Sequence, residues 1–540
     1  MKKLKFYDIL LIAFLFFLVI MEARSWQLAD YPKELRESAQ AAIASDFSKG
    51  INPYALEALE GEDFPNFYMY GWLYPALIAA AARLTGVSIL IVSVGFHIFF
   101  KLGACFFMGL TVYIKRKNLT ASLLCAALLY PCFWRYVVFG GVFPDAFGMF
   151  LTSLLYFLME TGIKKRKSYP LAMALVGLLM FHTKFYFVFT LIGVAVYLFF
   201  RNKKAFLLYA LSGTGLGLLS IGIVNALLPM YFTSTILYMA VVESYSWLYS
   251  LKQLVGLGRY FPIPILLLLF FFTTSLWAFA RKRESFSYAD HFTFPMVQVL
   301  CILPFNLYVS TSDGTWQTYY LQLLMPASIL LFGDVFCELL QESRKEILAT
   351  SVILPAFLPA GLSQLCKKLI KSLQSPAALT LFLLAILLPI WRYAVCVPMN
   401  REEIQEWENL YARLDEITAA ADTMLLAPEL GFYCTDHNLY LLDEGHCYYI
   451  NEECVKQWEG SPLLQALFPH AKLLFERFEK KAAQVNGDIG EGVPEYVAVD
   501  TNWSEFFLQE ENLEERYKLE ESHTVTTGLF RMDVDIYHRK

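Results

Sequence analysis

Apolar residues in this chain come in long unbroken runs, separated by short basic clusters or longer polar stretches. A helix needs roughly 20 apolar residues to cross a bilayer core. Nine runs reach or approach that length: Tyr7–Met21, Ser88–Tyr113, Leu119–Phe139, Pro144–Thr161, Ala205–Met230, Phe261–Ala280, Phe292–Ser310, Tyr319–Leu340 and Ala377–Cys396. A further stretch, Tyr169–Phe200, is too long for one span and is interrupted by His182-Thr183-Lys184, which predicts two short helices meeting at a polar step. The total is about eleven spans. The first run follows Lys2, Lys3 and Lys5, and Glu22-Ala23-Arg24-Ser25 makes a poor cleavage site, so it reads as a retained signal anchor.

Charge orients these spans. Basic clusters at the N-terminus, Lys115–Lys117, Lys164–Lys167, Arg201–Lys204, Arg281–Arg283, Arg344-Lys345 and Lys367/Lys368/Lys371 alternate correctly with the runs and place 21 Lys+Arg on one side. The opposite loops ahead of the C-terminal tail carry nine. Cytoplasmic loops collect Lys and Arg, so the N-terminus is predicted inside and the tail outside. Tyr68–Leu84 is apolar, but as a span it would put Lys115–Lys117 outside, so it is laid along the outer interface as a juxtamembrane helix. Ser351–Leu365, with Pro355 and Pro359, reads as cytosolic or re-entrant; if it spans, the tail becomes cytosolic.

Composition agrees. Of 540 residues, 57% are hydrophobic and 17% charged, and the mean hydropathy is +0.45. Soluble domains run about 45–50% apolar and about 25% charged. Disorder, collagen, a coiled coil and a small disulfide scaffold are excluded. The net charge of -5 hides a split: residues 1–396 carry 32 Lys+Arg against 20 Asp+Glu, and residues 397–540 carry 12 against 29. The expected architecture is a polytopic α-helical membrane protein over residues 1–396, followed by a small extracytoplasmic α/β domain over 397–540. In that tail Glu402–Ala421 has helical spacing, and Thr423–Ala427, Leu439–Leu442, Tyr496–Val499 and Leu529–Val534 read as strands.

Candidate chemistry concentrates in the first outer loop, residues 23–86, which holds Asp30, Glu34, Glu37, Asp46, Glu57, Glu60, Glu62 and Asp63. Lys33–Lys49 has helix-forming composition and ends at Gly50, and Glu34 and Glu37 share a face of that helix. A carboxylate at the mouth of a membrane cavity can take the proton of an attacking hydroxyl; any single one of these acids can equally be a solvated loop residue. His97 and Lys101 lie four apart within the second span. Ionisable groups inside a membrane are costly unless they meet a partner or cavity, and a packing pair competes with a functional one here. The stretch Tyr231–Phe261 reads either as a substrate-gating loop or as an interfacial aromatic belt.

Arg36-Glu37-Ser38-Ala39, Gly50-Ile51-Asn52-Pro53-Tyr54 and Tyr70-Gly71-Trp72-Leu73-Tyr74-Pro75 together resemble the opening of the GT-C integral-membrane glycosyltransferases. Phe143-Pro144-Asp145 resembles the second outer acidic position of that superfamily. Thr183-Lys184 resembles its T-K step, and Tyr319-Tyr320 before Leu324-Met325-Pro326 resembles its later tyrosine-proline pattern. The loop lacks the Asp-Glu pair of many members and the K-P-P of the aminoarabinose-transferase and protein O-mannosyltransferase branches. The resemblance implies transfer of a sugar from a polyprenyl-phosphate-linked donor to an extracytoplasmic glycan, lipid or protein. It also implies a catalytic carboxylate among Glu37, Asp30 and Asp145, with Glu37 favoured over Asp30 by its spacing to Gly50. The leaving phosphate needs cations. Lys184, Arg259, Arg135 and Arg83 are the outer-side candidates, with Lys101 inside the bundle; Lys184 is also placed to snorkel to headgroups.

Ten cysteines are present, three of them (Cys434, Cys447, Cys454) in the tail. Cys434-Thr435-Asp436-His437 and His446-Cys447 hold zinc-ligand types without a repeated C-x-x-C, and a Cys434–Cys447 disulfide stays open. The residues call for no cofactor, leave a divalent cation undecided, and give no reason to expect nucleic acid. No phosphate-binding glycine loop, nucleophile elbow or H-E-x-x-H occurs, which weighs against ATP-driven pumps and common hydrolases. The competing classes are a transporter or flippase of lipid-linked glycans and a non-catalytic membrane assembly protein. The chain lacks the internal repeat typical of the former.

Overall fold

The computed structural model describes residues 4–31, 37–57, 71–132, 144–162, 169–240, 293–309, 322–341, 375–395, 399–427, 430, 439–440, 452–501, 510–527 and 530–540. It is mostly helical. The first helix, α1 (Phe6–Ala23), is followed by a 3-10 turn at Arg24–Leu28. Helices α2 (Glu37–Lys49) and α3 (Leu73–Thr85) come next, where the sequence predicts helices within Lys33–Lys49 and Tyr68–Leu84. Then follow α4 (Ile89–Arg116), α5 (Leu119–Leu129), α6 (Asp145–Gly162), α7 (Tyr169–Thr183), α8 (Val188–Arg201), α9 (Lys203–Leu227) and α10 (Tyr231–Ala240). After these come α11 (Phe294–Val309), α12 (Leu324–Gln341) and α13 (Pro376–Val395).

Among the described residues three helices, α1, α4 and α9, are long and apolar enough to cross a membrane by length and composition. Side-chain caps fix several boundaries. Ser88 Oγ accepts from the Ile91 amide, Asn118 Oδ1 from Ala121 and Asn202 Oδ1 from Ala205, each satisfying an orphan donor of a first turn. In the Leu119–Phe139 run the helix tightens after Leu129 into a 3-10 turn at Tyr130–Cys132, where Pro131 cannot continue the ladder; the rest of the run lies outside the described residues. The stretch from Tyr231, expected as a loop, begins as helix α10. The Phe261–Ala280 run and Ser351–Leu365 lie outside the described residues.

Ion pairs tie one end of the bundle. Lys115 on α4 donates to Glu160 on α6 (2.8 Å) and to Asp334 on α12 (2.9 Å), and Arg116 Nε donates to Asp334 (2.7 Å). At the same end of α4, Thr120 donates to Asp8 of α1 at 2.6 Å.

From residue 399 the chain forms α14 (Arg401–Ala420), β1 (Thr423–Leu426), β2 (Leu439–Tyr440), α15 (Glu452–Glu459), α16 (Pro462–Leu467), α17 (Ala471–Glu491), β3 (Tyr496–Asp500), α18 (Glu510–Arg516), β4 (Tyr517–Thr527) and β5 (Phe530–Arg539). The sheet order is β2-β1-β3-β5-β4, with β1 parallel to β2 and β3, and β5 antiparallel to both neighbours. Side chains alternate along strands, and both faces are covered. Leu425 and Ala498 pack with Trp407, Leu410, Leu414 and Ile417 of α14, while Met424, Leu426, Val497 and Val499 pack with Val485 and Ile489 of α17.

This part rests on the first loop. Tyr31 stacks on Tyr411 with ring centroids 6.3 Å apart, and the Tyr411 hydroxyl donates to the Asp30 carbonyl. Leu474 of α17 shares a core cluster with Ile43 of α2, Tyr54, Val224 of α9 and Tyr231 of α10.

Candidate active site

Two buried polar clusters lie in the bundle. The first is built on Asp145, the first residue of α6, where a helix N-terminus favours a carboxylate. Lys184 stands in extended conformation in the break between α7 and α8. Its ammonium donates to both Asp145 oxygens, at 3.1 and 3.0 Å, and the two side chains are 4% and 2% exposed. Tyr186, one turn into the step, donates its hydroxyl to Asp145. Gln322, just ahead of α12, gives its amide to Asp145 Oδ1 (2.7 Å) and to the Tyr186 hydroxyl (2.6 Å). Three separate chain segments therefore converge on one carboxylate.

Two glycines make that convergence possible. A Cβ on Gly148 would fall 1.9 Å from the Phe187 ring, so the α7–α8 step can lie on α6 only because position 148 has no side chain. A Cβ on Gly71 would fall 1.7 Å from the His182 carbonyl oxygen. Gly71 instead donates its amide to the Thr183 carbonyl at 2.9 Å. The Tyr70–Pro75 and Thr183-Lys184 motifs, far apart in the chain, are thus in direct contact through Gly71 and Thr183.

The Gly50–Tyr54 motif is a clamp as well. Asn52 Nδ2 donates to the Leu227 carbonyl at the end of α9 (2.7 Å), the Met230 amide donates to the Tyr54 carbonyl (3.0 Å), and Tyr54 meets Tyr231 edge-on. Burial holds the Tyr54 hydroxyl above its ordinary pKa. Nearby on α2, burial pushes the Asp46 carboxyl up to about 6 against the opposing pull of Lys49.

The second cluster holds Lys101 and His97 of α4. Lys101 donates to Glu22 Oε2 at 2.6 Å, Tyr130 donates to the same oxygen at 2.6 Å, and His97 Nε2 lies 3.7 Å from Glu22 Oε1. The Lys101 ammonium also sits 4.1 Å from the Tyr130 ring centroid, a cation–π distance. Lys101 therefore meets Glu22, where the sequence analysis offers it as a cation for the leaving phosphate. Glu22 had served in the sequence only as part of a poor cleavage site.

The other expected residues fall as follows. Glu37 is the first residue of α2. Asp30 is exposed and lies where the loop touches Tyr411. Arg83, in the last turn of α3, is exposed. Arg135 and Arg259 lie outside the described residues, as do Cys434 and Cys447. Among the described residues no group of three or more His, Cys, Asp or Glu could hold a metal ion. Tyr186 and Gln322 had no sequence signal beyond their place beside Lys184 and ahead of the Leu324-Met325-Pro326 stretch.

No family model matches this chain, and no curated protein matches it. Solved structures do. The crystal structure of ArnT from Cupriavidus metallidurans bound to undecaprenyl phosphate aligns over 97% of this chain and 98% of that one, with a TM-score of 0.53 at 12% identity. ArnT from the same organism in the apo state aligns over the same shares with a TM-score of 0.52 at 13% identity. The likeness covers nearly the whole of both chains, so this chain shares the fold of those structures.

Proposed function

We propose that this chain is a membrane glycosyltransferase that moves a sugar from a polyprenyl-phosphate-linked donor to an acceptor hydroxyl at the extracytoplasmic face. The observation that carries the reading is the buried Asp145–Lys184 pair, braced by Tyr186 and Gln322, in a chain whose fold is shared with a protein that binds undecaprenyl phosphate. In this reading a carboxylate takes the acceptor's proton as the acceptor oxygen bonds to the anomeric carbon. The bond from that carbon to the phosphate oxygen breaks, and polyprenyl phosphate leaves. Lys184 supplies positive charge to the leaving phosphate in a water-poor site, where such charge counts most, with Arg135, Arg259 and Arg83 as further cations. Asp145 aims Lys184. Glu37 is the preferred base by its spacing to Gly50, and Asp30 is exposed.

The same reading assigns residues 1–396 to about eleven spans with a cytoplasmic N-terminus, and residues 397–540 to an outer α/β domain. The core shared by α2, the end of α9 and α17 supports one side for the first loop and the tail.

The test is a transfer and binding assay on the full chain in detergent, titrated with undecaprenyl phosphate. Asp145→Asn, Lys184→Met and Glu37→Gln should each fail, at normal protein level, to restore the surface glycan to cells lacking the parent chain, so that the cells stay glycan-deficient. The first two should also weaken undecaprenyl phosphate binding. Full activity in all three variants, or no binding by the parent chain, would sink the proposal.

A further inference from the structure

Next to the Asp145–Lys184 pair lies a hydrogen-bond chain that the proposed chemistry does not use. The Trp72 indole, at the N-cap of α3, donates to His182 Nδ1 at 3.1 Å. An indole nitrogen is a donor only, so Nδ1 carries the lone pair and a neutral imidazole holds its proton on Nε2. Nε2 faces Ser220 Oγ of α9 at 3.0 Å, and Ser220 in turn donates to the Gly217 carbonyl at 2.8 Å. All three bonds run in one direction, from α3 through the last turn of α7 into α9. Aromatic rings flank the imidazole: Phe181 at 5.0 Å and Tyr231 at 6.5 Å between centroids. The next residue, Thr183, accepts the Gly71 amide, and the residue after that is Lys184.

We infer that Trp72, His182 and Ser220 form a positioning relay that fixes the α7–α8 break, and through it the Lys184 ammonium, against the outer-loop helix and α9. The inference rests on the proposed role of Lys184. His182 is a positioning residue and touches no substrate. The residue is 4% exposed and wedged between three elements, so a lost partner is not readily replaced by solvent. Gly71 and Trp72 grip residues 182 and 183 from one side and Ser220 from the other. Lys184, immediately downstream, has no comparable freedom to choose another height in the bundle while the grip holds.

Two measurements on the purified full chain test this. The first is hydrogen exchange over a peptide covering residues 180–190, which does not depend on any activity. Trp72→Phe and His182→Ala should each speed exchange there, and the double variant should be no faster than His182→Ala, as expected of residues acting as one unit. The second is the affinity for undecaprenyl phosphate. His182→Ala and Trp72→Phe should each weaken it by about tenfold, the scale of one lost hydrogen bond to a buried group. His182→Asn, which keeps an acceptor at the Nδ1 position, should recover most of the loss. Parent-like exchange in both single variants, or additive effects in the double, overturns the relay. Faster exchange with unchanged affinity overturns its positioning of Lys184. A parent chain without affinity overturns the functional reading instead, and the exchange result then still decides the relay.

Discussion

Replacing Lys101 with methionine removes an ammonium that lies 2.6 Å from Glu22 and leaves that buried carboxylate, beside the Tyr130 hydroxyl and the His97 ring, without its cation. At an effective dielectric of about 20, two unit charges at this separation attract by on the order of 6 kcal/mol. Taking both out of water offsets most of that gain, whereas deleting one partner costs about 3–5 kcal/mol because the other charge is stranded. Lys101→Met and Glu22→Gln should therefore each destabilise the chain by about that amount. The double variant Glu22→Gln/Lys101→Met removes both charges of the pair and should recover most of the loss, giving a coupling of more than about 4 kcal/mol. Thermal melting of the detergent-solubilised chain, followed by size-exclusion, reads all four corners of the cycle. If Lys101→Met melts with the parent while undecaprenyl phosphate binding collapses, the pair is no staple, and Lys101 serves the phosphate.

Gly71→Ala forces a Cβ to within 1.7 Å of the His182 carbonyl, so the α3 cap must lift off the α7–α8 break; a loss of about 1–3 kcal/mol in melting and of transfer activity is expected. Asp46, with its carboxyl held up to about 6 by burial, binds a proton more tightly folded than unfolded, where its value is 3.8. Its contribution is therefore fully present below about pH 4 and lost as the pH rises through about 6. Asp46→Asn should melt above the parent at pH 7.5, and the gap should close at pH 4; a constant gap would remove burial as the cause. Trp407 is fully buried between α14 and the sheet and donates to the Thr526 carbonyl at 2.9 Å. Trp407→Ala should cost about 3–5 kcal/mol and open residues 399–540 to limited proteolysis before the helical bundle.

Apolar helices declare themselves in sequence because the period and length of an apolar run are local properties, and so the ends of α4, α6 and α13 fall within a few residues of their runs. The polar step at His182-Thr183-Lys184 was legible for the same reason: three polar residues cannot sit inside one span without breaking it. What sits opposite a polar residue is not local. Asp145 and Lys184 each stood out alone, but their pairing required the backbone approach that Gly148 and Gly71 allow. Gln322 and Tyr186 are ordinary polar residues until the fold places them on a carboxylate. Glu22 was hidden by its position at the end of an apparent anchor. In the tail, β4 escaped notice because an edge strand carrying Lys518, Glu520, Glu521 and His523 lacks the apolar alternation of a half-buried strand. Its neighbour β5, with Met532, Val534 and Ile536 inward, did not.

The ion pairs at the base of α4 join residues that are made at different times. Lys115 and Arg116 leave the ribosome 219 and 218 residues ahead of Asp334. At about 5–20 residues per second that gap is roughly 10–40 s. During that interval neither side chain has Asp334 to answer it, and under the proposed orientation both are available as a positive signal holding that end of α4 in the cytoplasm. Once α12 arrives, the same two charges are taken up by Asp334 and Glu160 and become a clasp between three helices. A charge reversal at Asp334 should then leave the direction of α4 untouched and loosen only the finished bundle.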